Sequence, residues 1–415
     1  TEVGGRGDMS SIGEIDENLM CDEAVRDPHA YFRRLREYDP VHWNDRHRAW
    51  ILTRHSDLAA ELRSPDLTAE RISPFASAVQ AAAASDDVDD TFRILEDWLV
   101  FKDPPAHTRL RKLVARAFTP SVVRSREATI AATVAELLAG LDGDVDLIAD
   151  FAFPLPAVVI AEMLGVPPED RDLFKVWSDQ LTALVFGAYG NDDRFAVAAR
   201  GMIELRDYLI ALIEQYEATP GDNLISVLLE HEDGDALTRS ELVATCTLLL
   251  FGGHETTTNL IGNGMLSLLT NPDQLTALRA DRSLVGPAVD ELLRYDGPAR
   301  ATVRLVRNAH EVGGRPLSPG ERVFLVNLAA NRDPDAFPDP DRLDVTRNPS
   351  NHHGFGVGLH YCLGAPLARM EGRLAIAGLL DTFADVELRA DPDTLAWHPT
   401  MLSRGLVELP ITVSH

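Results

Sequence analysis

Apolar residues recur at intervals of three and four along much of this chain, which is the spacing of helices with one buried face. The clearest runs predict helices over residues 129–141, 196–217 and 237–271. The third begins with Thr238 and Glu241 at the spacing of a capping box, in which each side chain bonds the other residue's backbone N–H. Its centre is apolar on every face, so we expect this helix to run through the interior.

Patterns typical of strands are fewer and shorter. They predict strands within residues 49–54, 322–330 and 406–413, and the glycines and prolines of 313–323 predict a hairpin with tight turns. The alanine- and aspartate-rich segment 79–90 is predicted to be a solvated loop. The predicted fold class is therefore mainly α with small peripheral β-sheets.

Composition narrows the class of protein. The 415 residues are 45% hydrophobic and 25% charged, which allows a large core in one domain or in two closely merged domains. A formal net charge of -26 argues against a nucleic-acid partner, because phosphate binding needs concentrated lysine and arginine. No apolar stretch approaches the roughly 20 residues that a membrane-spanning helix needs, so we predict a soluble protein with no membrane partner.

Cysteine content and the amino-terminal residues bear on location and domain organisation. Cys21, Cys246 and Cys362 are too few and too widely spaced for a disulfide framework, which favours a reducing compartment and predicts a cytoplasmic protein. Residues 1–15 are polar and glycine-rich and are predicted to be a flexible tail or a cloning remnant. Residues 16–415 then form the folded part.

One cysteine lies in an unusual setting. Cys362 follows three alternating glycines in GFGVGLHYCLG, residues 354–364, and precedes a predicted helix, APLARMEGRLAIAGLLDTF. A lone cysteine is most often a small buried hydrophobe. The nearby His352, His353 and His360 suggest zinc, but the paired Cys-x-x-Cys of a closed zinc site is missing. The segment also lacks the third glycine of a dinucleotide-binding fingerprint.

The setting of Cys362 favours a thiolate. Glycines allow backbone N–H groups to approach the sulfur, and the helix that begins near Gly364, with Pro366 in its first turn, directs its positive end toward it. Small neighbouring residues allow a flat group to approach. The arrangement therefore suits an axial ligand of haem iron.

The same segment resembles the haem-binding signature of the cytochrome P450 family, Phe-x-x-Gly-x-x-x-Cys-x-Gly. Phe355, Gly358, Cys362 and Gly364 occupy its four positions, and Gly356 lies within it. The resemblance covers nearly the whole chain and implies the cytochrome P450 fold, with a long central helix over the haem, in one catalytic domain. It implies haem b (iron protoporphyrin IX) as cofactor, with the cysteine as axial ligand of the iron.

Two further motifs resemble parts of this family. Glu291 and Arg294 lie on one helix face in DELLRYDGP, and the resemblance implies a buried structural trio with Arg342 of NRDPDAFPDPDRLD. In FGGHETTT, glycines and threonines are costly in a helix interior, so we expect a local opening of the helical hydrogen bonds. The resemblance assigns proton delivery to Glu255 and hydrogen bonding of bound O2 to Thr256.

Haem carries two propionates, which a buried pocket must pair with cations or hydrogen-bond donors. His107 and Arg111 lie four residues apart in DPPAHTRLRKLV, on one helix face. The resemblance implies that these two residues, together with Arg304 and His360, hold the propionates. Each of them alone is equally well explained as an ordinary surface charge.

The resemblance also implies a largely apolar pocket for a lipophilic small molecule. Arg300 departs from the uncharged residue that the family more usually carries, and it either binds a substrate carboxylate or turns toward a propionate or solvent. Besides the loop of residues 72–100, the predicted pocket residues are Leu248, Phe251, Gly252, Ala299, Arg300, Val303, Met401 and Leu402.

Basic residues near the cysteine contrast with the acidic whole: Arg109, Lys112, Arg116, Arg369 and Arg373. They are either a docking site for an acidic electron donor or scattered solubilising charges. The resemblance implies a soluble bacterial monooxygenase of secondary metabolism that hydroxylates or epoxidises its substrate with O2 and with electrons from ferredoxin and ferredoxin reductase. Two alternatives stay open: a haem peroxygenase or phenol-coupling oxidase, and a haem protein for gas sensing or storage.

Overall fold

The computed structural model describes residues 15–74, 76, 86–171, 173, 176–177, 180–181, 194–230 and 236–415. Its α-helices are α1 (Asp22–Arg26), α2 (Pro28–Tyr38), α3 (His55–Glu61), α4 (Asp86–Glu96), α5 (Ala106–Val114), α6 (Pro120–Ser125), α7 (Glu127–Ala139), α8 (Pro154–Leu164), α9 (Arg194–Ala218), α10 (Leu224–Leu229), α11 (Arg239–Leu269), α12 (Pro272–Ala280), α13 (Val285–Asp296), α14 (Asn327–Ala330) and α15 (Ala365–Thr382). Its strands are β1 (Val41–Asn44), β2 (Ala49–Leu52), β3 (Leu67–Thr68), β4 (Gly143–Asp146), β5 (Thr302–Val306), β6 (His310–Val312), β7 (Arg315–Leu317), β8 (Arg322–Leu325), β9 (Asp385–Leu388) and β10 (Pro410–Ser414).

The long helices lie where the apolar periodicity predicts them. Helices α7, α9 and α11 match the predicted segments to within two residues at each end, and α15 follows the cysteine segment directly. The capping box of α11 is confirmed, because the Thr238 side chain accepts from the Glu241 N–H and the Glu241 side chain accepts from the Thr238 N–H. The fold class, mainly α with small sheets, is confirmed as well.

The strands are shorter than predicted. β8 ends at Leu325, and Asn327–Ala330 form the short helix α14 instead of continuing the strand. β10 begins only at Pro410, and Leu406 makes an isolated bridge with Trp397.

The predicted hairpin is present, and the predicted loop is partly helical. β6 and β7 pair through a turn at Gly313 and Gly314, where φ is 57° and 78°, values that favour glycine. Of the predicted loop over 79–90, residues 86–90 belong to α4, whereas residues 79–85 lie outside the described residues.

The sheets pack beside the helices rather than through the centre. A five-stranded sheet has the order β1-β2-β8-β5-β3, in which only β2 and β8 run parallel. β4, β10 and β9 form an antiparallel three-stranded sheet. One face of the five-stranded sheet packs on α1 and α2, and this arrangement keeps the sheet apart from the largest hydrophobic cluster, which surrounds α11.

Helix α11 is the centre of that cluster. Its 31 residues span about 46 Å, and it packs against α8, α13 and α15. A Cβ built at Gly264 would lie 3.2 Å from Leu292 Cδ1, so the missing side chain allows α13 to approach closely. Among the described residues, no helix combines the length and apolarity needed to cross a membrane.

The predicted opening in the middle of α11 is wrong. The helix is continuous through residues 251–258. Thr256 Oγ1 donates to the Gly252 carbonyl at 2.8 Å, and Thr258 Oγ1 donates to the His254 carbonyl at 3.1 Å. The hydroxyls thus bond back to the preceding turn, which satisfies these polar side chains without breaking the helix.

Candidate active site

A cavity of about 350 Å³ lies between helix α11 and the segment that carries Cys362. On the α11 side, Thr245, Thr256 and Thr257 lie in a wall that otherwise consists of leucines and glycines. The apolar side chains that line the cavity include Leu99, Val100, Val114, Phe118, Ile160, Leu248, Leu249, Leu260, Leu293, Leu363 and Leu367. The cavity therefore suits a flat hydrophobic group and an apolar molecule above it.

The cysteine segment is a tight loop closed by backbone hydrogen bonds. The Cys362 N–H donates to the Phe355 carbonyl at 2.9 Å, and the φ angles of Gly356 and Gly358 are 70° and 75°. Both glycines adopt the left-handed conformation that the tight path of the chain requires. Cys362 is exposed where the loop lines the cavity.

The electrostatic surroundings of Cys362 differ from the prediction. Although the sulfur of Cys362 borders the cavity, the protein atoms around it keep water away and raise the pKa of the thiol. This effect outweighs the backbone N–H groups of Gly364 and Ala365 and the charges of Arg111 and Arg369, which lower the pKa. The loop and the helix end therefore do not produce a thiolate by themselves. A cationic metal at the sulfur would complete the deprotonation, since a coordinated thiol loses its proton.

The four predicted propionate-binding residues are brought together at one edge. The rings of His107 and His360 lie 4.2 Å apart between centroids, and both rings line the cavity with Arg111. His107 is 1% exposed, and neither of its ring nitrogens has a hydrogen-bond partner among the residues that the structure describes. Arg304 does not line the cavity directly, but its charge helps to lower the pKa of both histidines.

These groups are short of negative charge. Burial and the neighbouring Arg304 and His107 lower the pKa of His360 to about 3, and burial lowers the pKa of Arg304 to about 10. Within the described part of the chain, Arg111 donates only to the Tyr361 carbonyl, at 2.7 Å. Carboxylates at this edge would supply negative charge that raises the pKa values of His360 and Arg304, and would accept hydrogen bonds from Arg111. A sulfur donor, apolar walls and this cationic edge together fit an iron porphyrin with its two propionates.

Glu291 and Arg294 form the predicted buried ion pair. Both side chains are fully buried, and Arg294 Nε and Nη2 donate to the Glu291 carboxylate at 2.7 and 2.8 Å. The third member is Arg347, whose Nε lies 3.1 Å from Glu291 Oε1. The prediction of Arg342 is wrong, because its side chain is exposed and only its carbonyl accepts from Arg294, at 3.3 Å.

The buried pair is linked to the cysteine segment. Arg294 Nη1 donates to the Asn331 carbonyl at 2.9 Å, and Asn331 Oδ1 accepts from the His353 N–H at 2.7 Å. The amide of Asn331 therefore connects α13 to the loop that carries Cys362. The sequence offered no local sign of this contact.

Glu255 and Thr256 point in different directions from α11. Thr256 lines the cavity, whereas Glu255 Oε1 accepts from Ser403 Oγ at 3.2 Å. Ser403 is buried in the carboxy-terminal segment and also contacts Thr400. Neighbouring positions thus place a hydroxyl in the cavity and a carboxylate behind it, where Ser403, which the sequence analysis missed, helps to hold the carboxylate.

Neither of the alternatives left open for Arg300, a substrate carboxylate or a turn toward a propionate or solvent, matches its position in the structure. Its Nη1 donates to the Thr400 carbonyl at 2.8 Å and its Nη2 to the Leu19 carbonyl at 2.7 Å. The guanidinium also lies over the Phe32 ring, 5.5 Å from its centroid. Arg300 is 4% exposed and does not line the cavity, so it is a structural residue that turns neither to a propionate nor to solvent.

The other predicted pocket residues divide into two groups. Leu248, Gly252 and Ala299 line the cavity, as do Leu99 and Val100 of the predicted loop. Positions 75 and 77–85 of that loop lie outside the described residues. The predictions that the structure does not place in the lining are Phe251, Val303, Met401 and Leu402, which pack in hydrophobic clusters instead.

Several of the basic residues near the cysteine are paired with carboxylates. Arg109 bonds Glu241, Arg369 Nη2 lies 2.8 Å from Asp290 Oδ1, and Arg373 Nη2 lies 2.5 Å from Glu127 Oε1. Lys112 is exposed and Arg116 is half-buried. The local excess of positive charge is therefore smaller than the sequence suggests.

Comparisons with known proteins point to one family. The family described as Cytochrome P450 matches residues 190–409. Cytochrome P450 107B1 of Saccharopolyspora erythraea is 42% identical, over 97% of this chain and 99% of the relative. Vitamin D(3) 25-hydroxylase of Pseudonocardia autotrophica is 40% identical, over 98% of each chain. The solved structure of CalO2 superposes with a TM-score of 0.89 at 32% identity and covers 96% of this chain and 98% of its own.

Proposed function

The chain belongs to the cytochrome P450 family, and from this premise we propose that it oxidises a lipophilic small molecule with electrons from a ferredoxin. The family assigns it to the monooxygenases, which are oxidoreductases with haem b as cofactor. The observation that carries the proposal is the mostly apolar cavity with Cys362 on one side and Thr256 on the other. Hydroxylation or epoxidation in secondary metabolism is the proposed outcome.

Cys362, His107, Arg111, Arg304 and His360 are the proposed haem-binding residues. When bound, haem supplies the iron at which O2 is activated. The cysteine offers its sulfur from a loop fixed by the Phe355 carbonyl, and the four basic residues offer the charge and donors for the propionates. The two unpartnered nitrogens of the buried His107 ring support this assignment most directly.

Thr256 and Glu255 are proposed to manage protons. The Thr256 hydroxyl uses its own hydrogen on the Gly252 carbonyl, so its oxygen is able to accept a hydrogen bond from a group in the cavity. Glu255 is held by Ser403 behind that wall and would pass protons toward Thr256. Ser403 is then a positioning residue, because its hydrogen bond fixes the orientation of the Glu255 carboxylate.

Two observations support a lipophilic substrate: the cavity lining is mostly apolar, and Arg300 does not face the cavity, where it could bind a substrate carboxylate. The guanidinium is committed to the carbonyls of Leu19 and Thr400, so no described cation other than those of the propionate edge faces the cavity. The similar vitamin D(3) 25-hydroxylase carries the name of an apolar substrate. We therefore place the substrate among largely hydrocarbon molecules.

Ferredoxin and its reductase are proposed as the electron source, and the cytoplasm as the location. Lys112 and Arg116 lie on or next to α5, the helix that also carries His107 and Arg111, and would contact an acidic donor. Because Arg109, Arg369 and Arg373 are paired with carboxylates, we expect the binding of ferredoxin to this surface to be weak and sensitive to salt. Cys21, Cys246 and Cys362 are free thiols, as a reducing compartment requires.

The first test is spectroscopic. The haem-loaded full chain is expected to give the carbon monoxide difference spectrum of a thiolate-bound haem, and Cys362→Ser is expected to abolish it. A Cys246→Ser variant is the matched control, because that buried thiol lies outside the cavity lining. An unchanged spectrum in Cys362→Ser would remove the proposed ligand.

The second test is catalytic. Lipophilic compounds are first selected because they shift the spin state of the iron. They are then incubated with reductant, a bacterial ferredoxin system and O2 labelled with a heavy oxygen isotope, and the masses of the products are measured by mass spectrometry. One labelled oxygen atom in the product is expected, and Thr256→Ala should divert O2 to peroxide several-fold more. Label-free products formed only from peroxide would identify a peroxygenase, and no product with any donor would favour a gas-binding protein.

A further inference from the structure

One polar side chain of the cavity wall has no role in the proposed haem site or in the proposed proton path. Thr245 of α11 is 6% exposed and lines the cavity. Leu248 and Leu249, one turn further along the helix, line the cavity as well. The Thr245 hydroxyl therefore lies beside apolar side chains, where a single well-placed polar group orients an otherwise apolar ligand.

The Thr245 hydroxyl makes no hydrogen bond with any described residue. Other threonines of α11 differ, because the hydroxyls of Thr247, Thr256 and Thr258 donate to carbonyls of the preceding turn at 2.8 to 3.1 Å. Bonding of this kind satisfies a threonine within its own helix. The hydroxyl of Thr245 is instead left able both to donate and to accept a hydrogen bond in the cavity.

Thr245 is distant from Thr256, which the proposed function places at the catalytic end of the cavity. It precedes Thr256 by eleven residues of a continuous helix, or about three turns, so the two side chains share one helix face. Their separation along the helix axis is about 16 Å. Trp98 Nε1 donates to Thr247 Oγ1 at 2.8 Å, so the segment that begins at Trp98 packs beside the turn of Thr245. A molecule that contacts both cavity threonines must be elongated.

We propose that Thr245 binds a hydroxyl group at one end of an elongated lipophilic substrate, and that this contact determines which carbon lies beside Thr256. The inference rests on the proposed monooxygenase function, because it concerns the substrate of that site. A substrate hydroxyl matches Thr245, since each group is able to donate to the other. A carboxylate matches less well, because the described cation of the cavity lining, Arg111, lies at the propionate edge. The substrate class is a long, mostly hydrocarbon alcohol.

Binding is tested in the haem-loaded full chain with 1-dodecanol and with dodecane, whose affinities are measured from the shift in the spin state of the iron. Thr245→Val removes the hydroxyl and keeps the branched shape, so it should weaken binding of 1-dodecanol about three- to tenfold and leave that of dodecane unchanged. Thr245→Ser should restore most of the affinity. Thr258→Val is the matched control and should change neither affinity, because Thr258 is a buried threonine of the same helix outside the cavity lining.

The position of oxidation is tested in the wild type and needs no variant. Products of 1-dodecanol and 1-tetradecanol should carry the new oxygen at the same carbon when the chain is counted from the original hydroxyl, because that end is held at Thr245. In Thr245→Val the new oxygen should be spread over more carbons. A wild-type position that is constant only when counted from the methyl end would overturn the proposal.

The carbon monoxide spectrum reports whether each variant retains its haem site. The proposal is overturned if Thr245→Val leaves the affinity for 1-dodecanol unchanged, if it weakens both ligands equally, or if the wild type binds neither ligand. If Thr245→Val loses haem, the positions of oxidation in the wild type decide instead. The proposed function fails differently: an alcohol that binds through Thr245 but is never oxidised with any electron donor would contradict the monooxygenase assignment and leave the binding contact in place.

Discussion

At the scale of single residues, arginines show how one side-chain type takes different roles. A guanidinium has five N–H donors and loses much hydration on burial, so its position is decided by the acceptors within reach. Arg300 reaches the carbonyls of Leu19 and Thr400, and Arg347 reaches Glu291. Arg304 lies near the cavity edge and donates to the Val303 carbonyl, and no described carboxylate is hydrogen-bonded to it. Charge alone does not distinguish these cases.

Arg300→Ala is expected to lower the free energy of unfolding by about 2 to 4 kcal/mol, because two buried carbonyls lose their donors and the contact with the Phe32 ring is lost. Urea unfolding measures the effect. Arg315→Ala removes an exposed ion pair with Asp39 and serves as the control, with a change below about 0.5 kcal/mol. Unchanged stability together with weaker binding of carboxylate-bearing compounds would restore Arg300 as a substrate anchor.

At the scale of elements, α13 is the connection between the central helix and the cysteine segment. Glu291 accepts a hydrogen bond from Arg347. Arg294 donates to the carbonyls of Pro340 and Asn331. The Asp344 N–H also donates to Glu291, at 3.0 Å. A carboxylate that is fully buried is therefore satisfied by several donors, as its burial requires.

Substitutions at Arg347 and Arg342 separate the two candidates for the third member of this cluster. Arg347→Ala removes one of the donors to the buried Glu291 and should lower the free energy of unfolding by about 1 to 3 kcal/mol. Arg342→Ala should leave it within about 0.5 kcal/mol, because that side chain is exposed. Thermal unfolding of the haem-loaded variants gives both values, and a larger loss in Arg342→Ala would contradict the assignment.

At the scale of the whole molecule, buried polar contacts join segments that are distant in the sequence. His29 Nε2 of α2 lies 2.8 Å from Asp296 Oδ1 at the end of α13, and Arg404 Nε lies 2.7 Å from the same oxygen. Burial together with the charges of Arg332 and Arg404 lowers the pKa of His29 to about 4, against the opposing effect of Asp296. His29 is therefore neutral in the folded protein near neutral pH.

This lowered pKa predicts that stability falls in mild acid. Between the unfolded value of 6.5 and the folded value of about 4, the unfolded chain binds a proton at His29 that the folded chain excludes. Stability contributed by the neutral histidine is thus complete above the unfolded value and decreases as the pH falls toward 4, by at most about 3 kcal/mol.

His29→Gln is the informative variant, because its longer side chain places an amide N–H near the position of His29 Nε2, which contacts Asp296, but does not titrate. Urea midpoints of the wild type and the variant should converge as the pH is lowered from about 7 to about 5, since only the wild type loses the histidine contribution. Parallel curves over this range would show that His29 does not contribute to the acid sensitivity.

The sequence by itself determined the features that depend on neighbouring positions. The helical periodicity, the Thr238 capping box and the order of glycines, Cys362 and helix act over a few residues, where spacing and backbone chemistry dictate the result. The same holds for the family resemblance, which the cysteine segment and its companion motifs carry. His107 and Arg111 were identified through that resemblance, and their spacing of four residues places them on one helix face.

Only the tertiary structure decided which side chains meet across long separations. Arg300 binds a carbonyl 281 positions away, and Arg347 rather than Arg342 reaches Glu291. The three-dimensional course of the backbone decides which donor lies close to an acceptor, and the spacing of residues in the sequence does not show this. Glu371 of α15 is buried in the cavity wall, where its Oε2 has no hydrogen-bond partner among the described residues, and this isolation is of the same kind. An acidic residue on an apolar helix face is visible in the sequence, but its lack of a partner depends on every element packed around it.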